Sequence, residues 1–183
     1  MRVNATAASV LFDPPAAGFD APFEMLAACH ERVEHSLRLL ERLAEHLTAH
    51  GADTQARDAA RDVLRYFDVA APQHHQDEER HVLPTLRALG RGALADRLLN
   101  EHAQMAGAWA EARVHLLTVQ AGDTSIALSD DADHRRAWRA LARLYREHAA
   151  LEDAIAFPAA AAALDAVQQQ AMGDEMARRR GVR

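Results

Sequence analysis

Eleven histidines in a chain of 183 residues are more than packing requires, and their spacing carries a pattern. His74 and Glu78 are four residues apart, and so are His148 and Glu152. On a helix each pair lies on one face, one turn apart. The surroundings repeat as well: His74, Glu78, Glu79, Leu83 and Pro84 are spaced as His148, Glu152, Asp153, Phe157 and Pro158 are. A lone histidine precedes each pair, His30 by 44 residues and His102 by 46. The chain thus reads as two similar halves, each offering one lone imidazole and one imidazole–carboxylate pair. Imidazole and carboxylate without thiolate suit iron, manganese or zinc. A closed structural zinc site needs only four donors, so His30, His74, Glu78, His102, His148 and Glu152 point to two ions, with each glutamate placed to reach a second one. Buried without a counter-charge, these groups would cost several kcal/mol each, more than a small domain can spare. A bound cation removes that penalty.

The elements that must position these groups follow from the punctuation. Pro14, Pro15, Gly18 and Pro22 precede a helical run, Gly51 and Asp53 end it, Pro84, Gly90 and Gly92 end a second, and Gly122 to Asp131 end a third. Helices are predicted near 22–49, 54–83, 93–120 and 131–157, each roughly 40 Å long at 1.5 Å per residue. Short connections make consecutive helices antiparallel, giving an all-α, up-down-up-down four-helix bundle over 22–158, with an N-terminal tail over 1–21 and a short extra helix and basic tail over 159–183. Each run carries an apolar seam at three- and four-residue spacing that the metal-type residues interrupt. On helix two the seam reads Ala60, Leu64, Phe67, Ala71, His74, Glu78, His81; on helix four it reads His134, Trp138, Leu141, Tyr145, His148, Glu152, Ile155. His30, His74, His102 and His148 each fall eight or nine residues from a helix end, which places them in one layer roughly 13 Å from one end of the bundle. Pro72 is expected to kink helix two just before His74.

Composition limits the function. A formal charge of −6 disfavours a nucleic-acid binder, because that role needs a basic face. The basic stretch Arg178, Arg179, Arg180 and Arg183 reads as a solvated terminus. Cys29, the single cysteine, allows no intrachain disulfide and reads as a small packing residue beside His30. The apolar run Val10, Leu11, Phe12 is too short for a signal peptide or membrane span, so a cytoplasmic protein with no membrane partner is expected.

The segments "HHQDEERHVLP", "NEHAQM" and "EHAALEDAIAFP", in that order, resemble the hemerythrin-like, or HHE cation-binding, domains over roughly Pro22 to Pro158. The resemblance implies a site for two non-haem iron ions on His30, His74, Glu78, His102, His148 and Glu152, with O₂ or nitric oxide as the small diatomic ligand of a carrier, sensor or redox and iron-handling protein. Zinc or manganese are the other metals that the donors suit. A nitric-oxide-consuming or iron-centre repair enzyme and a mononuclear or zinc structural bundle are the alternatives; no residue is assigned a catalytic role, and the redox partner is unknown. One departure stands out. Oxygen-carrying members place a second histidine four residues after the one on helix three, where this chain has Ala106. His81, one turn beyond Glu78, is the substitute the seam offers. His75 with Glu79 repeats the His74–Glu78 spacing and rivals it, and Tyr145, one turn before His148, is placed for its hydroxyl to meet a metal-bound ligand. Glu31, Glu34 and Glu101 stand beside ligand candidates, where they could orient an imidazole.

Overall fold

The computed structural model of the protein describes residues 18–122 and 132–182. Four long helical rods and one shorter helix follow in order: α1 (Pro22–His50), α2 (54–88), α3 (Gly92–Gln120), α4 (132–163) and α5 (Ala166–Arg179). No strand occurs among the described residues. Each rod packs on the next and α1 packs on α4, which closes the up-down-up-down ring that the short connections require. The α2–α3 turn shows how tightly this is done. Arg91 N donates to Leu86 O at 2.9 Å and Gly90 N to Arg87 O at 3.0 Å, a Schellman closure in which Gly90 takes a φ of 75°.

Helices α2 and α4 run further than the sequence predicts, past Pro84 to Ala88 and past Pro158 to Ala163. The reason is a repeated device. Three five-residue π-turns, Tyr66–Ala70, Glu78–Val82 and Glu152–Ala156, interrupt the α-helical path. Each is followed, after one residue, by a proline: Pro72, Pro84 or Pro158. Ala71, Leu83 and Phe157 donate to the carbonyls of Tyr66, Glu78 and Glu152, five residues back. The widened turn accommodates the proline ring, which in a regular α-helix would clash with the carbonyl four residues before it.

The π-turns also move the buried face. Where the turn is wide, that face recurs after four to five residues instead of three to four. Val82, not His81, is therefore the buried residue after Glu78, and Ala156, not Ile155, the one after Glu152. Ile155, which the seam places inward, is 45% exposed.

Two apolar clusters fill the bundle. The larger runs from Val33 through Leu47 on α1, Ala56 to Ala71 on α2, Met105 to Val119 on α3 and Trp138 to Tyr145 on α4. The smaller joins Phe23 and Leu26 to Val82, Leu86, Leu98 and Phe157, and Met172 and Met176 of α5 close it. Helix α5 is started by a capping box between Asp165 and Gln168 and sits so close to the chain's entry that a Cβ on Gly173 would lie 1.7 Å from Phe19 O. The basic terminus is thus not merely solvated. Arg179 and Arg180 reach the fully buried Asp77 at 2.6 and 2.5 Å, and Glu175 pairs with Arg179 and His81.

Candidate metal centre

A polar layer separates the two apolar clusters. The first member of a π-turn supplies each carboxylate: Glu78 on α2 and Glu152 on α4, both fully buried. His74 and His148 lie one turn earlier on the same rods, and His30 and His102 enter from α1 and α3, all at 3–8% exposure. Six residues separated by up to 122 positions in sequence thereby converge.

Their atoms form two overlapping sets. His30, His74, Glu78 and Glu152 offer donor atoms within 4.8 Å of one another, and so do Glu78, His102, His148 and Glu152. Both sets share both glutamates. Glu78 Oε1 faces His74 Nε2 at 2.9 Å and His30 Nε2 at 4.0 Å, while Oε2 faces His102 Nε2 at 3.3 Å. Glu152 Oε2 lies 3.2 Å from both His30 Nε2 and His148 Nε2. Close as they are, the four carboxylate oxygens and His30 Nε2 have no hydrogen-bond partner. Buried polar atoms in native proteins are rarely left so, and donors aimed at common points between them fit cations.

The outer faces of the imidazoles reinforce this. His30 Nδ1 lies 2.9 Å from Asp153 Oδ1, His102 Nδ1 2.8 Å from Glu79 Oε1, and His148 Nδ1 2.8 Å from Glu101 Oε2. With each Nδ1–H donated outward, the Nε2 lone pair points into the cluster, the tautomer that a metal ligand needs. Two such lone pairs, on His102 and His148, face each other at 3.2 Å. Their repulsion is relieved by a cation or by a second proton on one ring. His74 differs: its Nδ1 is buried with no hydrogen-bond partner, and the Cys29 thiol lies beside the ring.

Without a cation, charge pairing between imidazole and carboxylate sets the proton affinities in the layer. Burial works against a charged imidazole at His74, yet the Glu78 carboxylate outweighs it and holds the pKa well above the ordinary histidine range. At His148 burial again opposes charge, and Glu152 wins. Burial likewise opposes ionisation of Glu78, but His74 and His102 hold its pKa well below the carboxylate range. A metal entering here displaces protons.

The remaining sequence candidates fall outside the cluster. His75 lies outside both four-donor sets; its ring stacks on His102 at 4.2 Å between centroids, and burial pushes its pKa down to about 3. Tyr145 is buried behind His75, ring centroids 5.7 Å apart, and burial raises its phenol pKa. His81 lies outside the cluster, where the π-turn aims it at Glu175 Oε2, 2.8 Å away on α5. Ala106 is exposed, and the inward position near His102 belongs to buried Met105, so nothing at Ala106 faces the cluster. Glu34 binds Arg146 on the surface, whereas Glu101 does hold an imidazole. Sequence reasoning named Glu79 only as a partner of His75 and gave Asp153 no role. Their signal was their place in the repeat, each directly after a buried glutamate of the cluster.

A four-helix bundle with a buried layer of imidazoles and carboxylates suited to cations defines a class of helical metal-binding domain. The chain belongs to a particular one: it matches the Hemerythrin HHE cation binding domain over residues 21–160. It is also 31% identical, over 169 residues, to an uncharacterized protein of Haemophilus influenzae, covering 91% of this chain and 94% of that one. No helix among the described residues is long and apolar enough to cross a membrane.

Proposed function

We propose that the protein is a non-haem di-iron protein that binds O₂ or nitric oxide as a carrier, sensor or redox and iron-handling protein of the cytoplasm. The observation that carries this reading is the sharing of both Glu78 and Glu152 between two four-donor sets. A single tetrahedral zinc would use one set and strand two imidazoles of the other, at the cost of burying them unpaired. His30 and His74 would hold one ion, His102 and His148 the other, with Glu78 and Glu152 between them. When bound, the iron pair supplies open coordination positions and one-electron redox chemistry for a diatomic ligand.

The chain's own residues do the rest. Asp153, Glu79 and Glu101 fix the imidazole tautomers, and the two apolar clusters exclude bulk water from the layer. Metal analysis of iron-replete protein, with an optical spectrum in air and under nitric oxide, tests the reading. Two irons per chain and a spectrum that changes with either gas are expected. One zinc at full occupancy refutes it.

A further inference from the structure

The chain contains only two tyrosines and two tryptophans. Both tyrosines and Trp109 lie in one group of rings on a single side of the metal layer. Starting from the His102 imidazole, the rings follow without a gap. His75 stacks on His102 with centroids 4.2 Å apart and planes 7° off parallel. Tyr145 stacks on His75 at 5.7 Å and 21°. Phe67 meets Tyr145 at 5.2 Å, and Trp109 meets Phe67 at 5.0 Å. Trp109 is partly exposed, and its Nε1 donates to Asp68 Oδ1 at 2.9 Å. Arg113 Nε donates to both oxygens of the same carboxylate, at 3.0 Å to Oδ1 and 3.1 Å to Oδ2. Packing alone does not ask for oxidisable rings in this order, ending on an indole whose N–H already faces a carboxylate at the surface. Trp138, by contrast, is buried and donates to a backbone carbonyl, Ala112 O, which cannot take up its proton.

We propose that His75, Tyr145, Phe67 and Trp109 form a relay that carries single oxidising equivalents from the His102 side of the cluster to the surface at Trp109. The proposal rests on the reading of the cluster as an iron site. Each transfer is a one-electron oxidation. Trp109 loses one electron, its Nε1 proton passes along the hydrogen bond to Asp68, and a neutral indolyl radical and a carboxylic acid remain. The electron moves inward through the rings. Tyr145 and Phe67 serve only as the medium between His75 and Trp109, and neither is itself oxidised. The acceptor is an oxidant of the peroxide class at the cluster: hydrogen peroxide takes two electrons in two successive transfers, with the indole restored between them, and two protons from solvent to give two waters. A one-electron reductant in solution, such as ascorbate, then restores the indole while Asp68 returns the proton. The relay would let a buried centre be reduced without admitting a bulky reductant, and would discharge excess oxidising equivalents away from its ligands.

The test uses the full chain loaded with iron, mixed with hydrogen peroxide, frozen for electron paramagnetic resonance and then mapped by peptide mass for oxygenated tryptophan. An indolyl radical is expected, with oxidation concentrated at Trp109 and sparing Trp138. Trp109→Phe is expected to lose that radical while keeping its iron, and Asp68→Asn to lose most of it with Trp109 still in place. The relay is overturned if Trp109→Phe leaves the signal unchanged, if Trp138 is oxidised equally, if damage is confined to Met105 and His102, or if metal-free protein oxidises Trp109 to the same extent. A chain that binds no iron overturns both the relay and the reading beneath it. A chain that binds two irons without oxidation at Trp109 overturns the relay alone.

Discussion

Removing the outer carboxylates one at a time is expected to weaken the two ions separately. Asp153 supports only His30, whereas Glu79 and Glu101 support His102 and His148. Losing such a partner typically costs 10–100-fold in metal affinity, or about 1.4–2.8 kcal/mol. Exposure decides where in that range each falls. Glu79 and Asp153 are 41% and 48% exposed, so water replaces much of what they provide, and about tenfold is expected for Glu79→Ala and Asp153→Ala. Glu101 is 19% exposed and lies nearer the dry interior, so Glu101→Ala is expected toward about 100-fold, reduced somewhat because Arg97 already draws on the same carboxylate at 2.7 Å. The His30/His74 side has one outer carboxylate and a thiol where the other side has two carboxylates, so its ion is expected to leave first. Competition with a chromophoric chelator at pH 7 resolves the two affinities. Asp153→Ala should weaken the looser ion and spare the tighter, and Glu101→Ala should do the reverse. Equal weakening of both ions by both variants, or a single affinity in the unmodified protein, refutes the assignment of the carboxylates to separate halves.

Other outcomes follow from the same geometry. His74→Ala should strip at least one ion, while His75→Ala should leave stoichiometry intact, as metal analysis of the two variants would show; the opposite result moves the site to His75 and Glu79. In metal-free protein, His74 and His148 have raised pKa values and contribute stability that is present below the ordinary histidine range and lost as pH rises through their folded values. Glu78, lowered, contributes stability that is present above the ordinary carboxylate range and lost as pH falls, and His75, lowered to about 3 by burial, contributes stability that is lost as pH falls below the ordinary histidine range, so the metal-free melting temperature should peak near about pH 6.5 and decline toward pH 8 and toward pH 4.5, whereas the metal-loaded protein should gain stability toward neutral pH as protons cease to compete; a metal-free protein more stable at pH 8 than at pH 6.5 would contradict this. Asp77→Asn leaves Arg179 and Arg180 facing a neutral amide in a largely buried place, and should cost about 3 kcal/mol in urea unfolding. An unchanged unfolding midpoint would mean that α5 is held by its apolar face alone.

The bundle and the six-residue cluster were legible in sequence because both rest on periodicity. A helical seam records which residues share a face, and the repeat of His74–Glu78 in His148–Glu152 records that two halves meet across an axis. Periodicity puts His74 on the seam, with His75 about 100° away, but leaves His75 with Glu79 as a rival pair of the same spacing. What it does not contain is contact between elements. Nothing in the local pattern around Arg179 and Arg180 distinguishes a solvated tail from one that closes on Asp77 about a hundred residues earlier, and nothing around Glu79 or Asp153 says that their neighbours across the bundle are imidazoles. Those pairings appear only once the rods have a register.

The outward placement of His81 and Ile155 has a different origin, and it lies in the prolines. A proline within a helical pattern is ordinarily a stop, and with Pro84 and Pro158 taken as stops the α-helical period was carried unchanged through Glu78 and Glu152. Both rods instead continue by inserting a π-turn before the proline, and each of these turns starts on a carboxylate of the cluster. The coincidence at both halves ties the backbone irregularity to the site. A regular α-helix after Glu78 would bring His81 to the inner face; the wide turn brings Val82 there and leaves His81 to anchor α5. In the other half, Ala156 replaces Ile155 under the cluster, so that small and apolar side chains floor the layer on both sides. Replacing Pro84 or Pro158 by alanine removes the steric reason for the wide turn. If the rod relaxes to an α-helical path, the face below the glutamate rotates and His81 or Ile155 competes for the interior, disturbing the metal layer with no ligand changed. Pro84→Ala should therefore lower metal affinity while retaining helicity, read by chelator competition and circular dichroism on the same sample. If affinity is unchanged, the π-turns are held by tertiary packing and the prolines merely tolerate them.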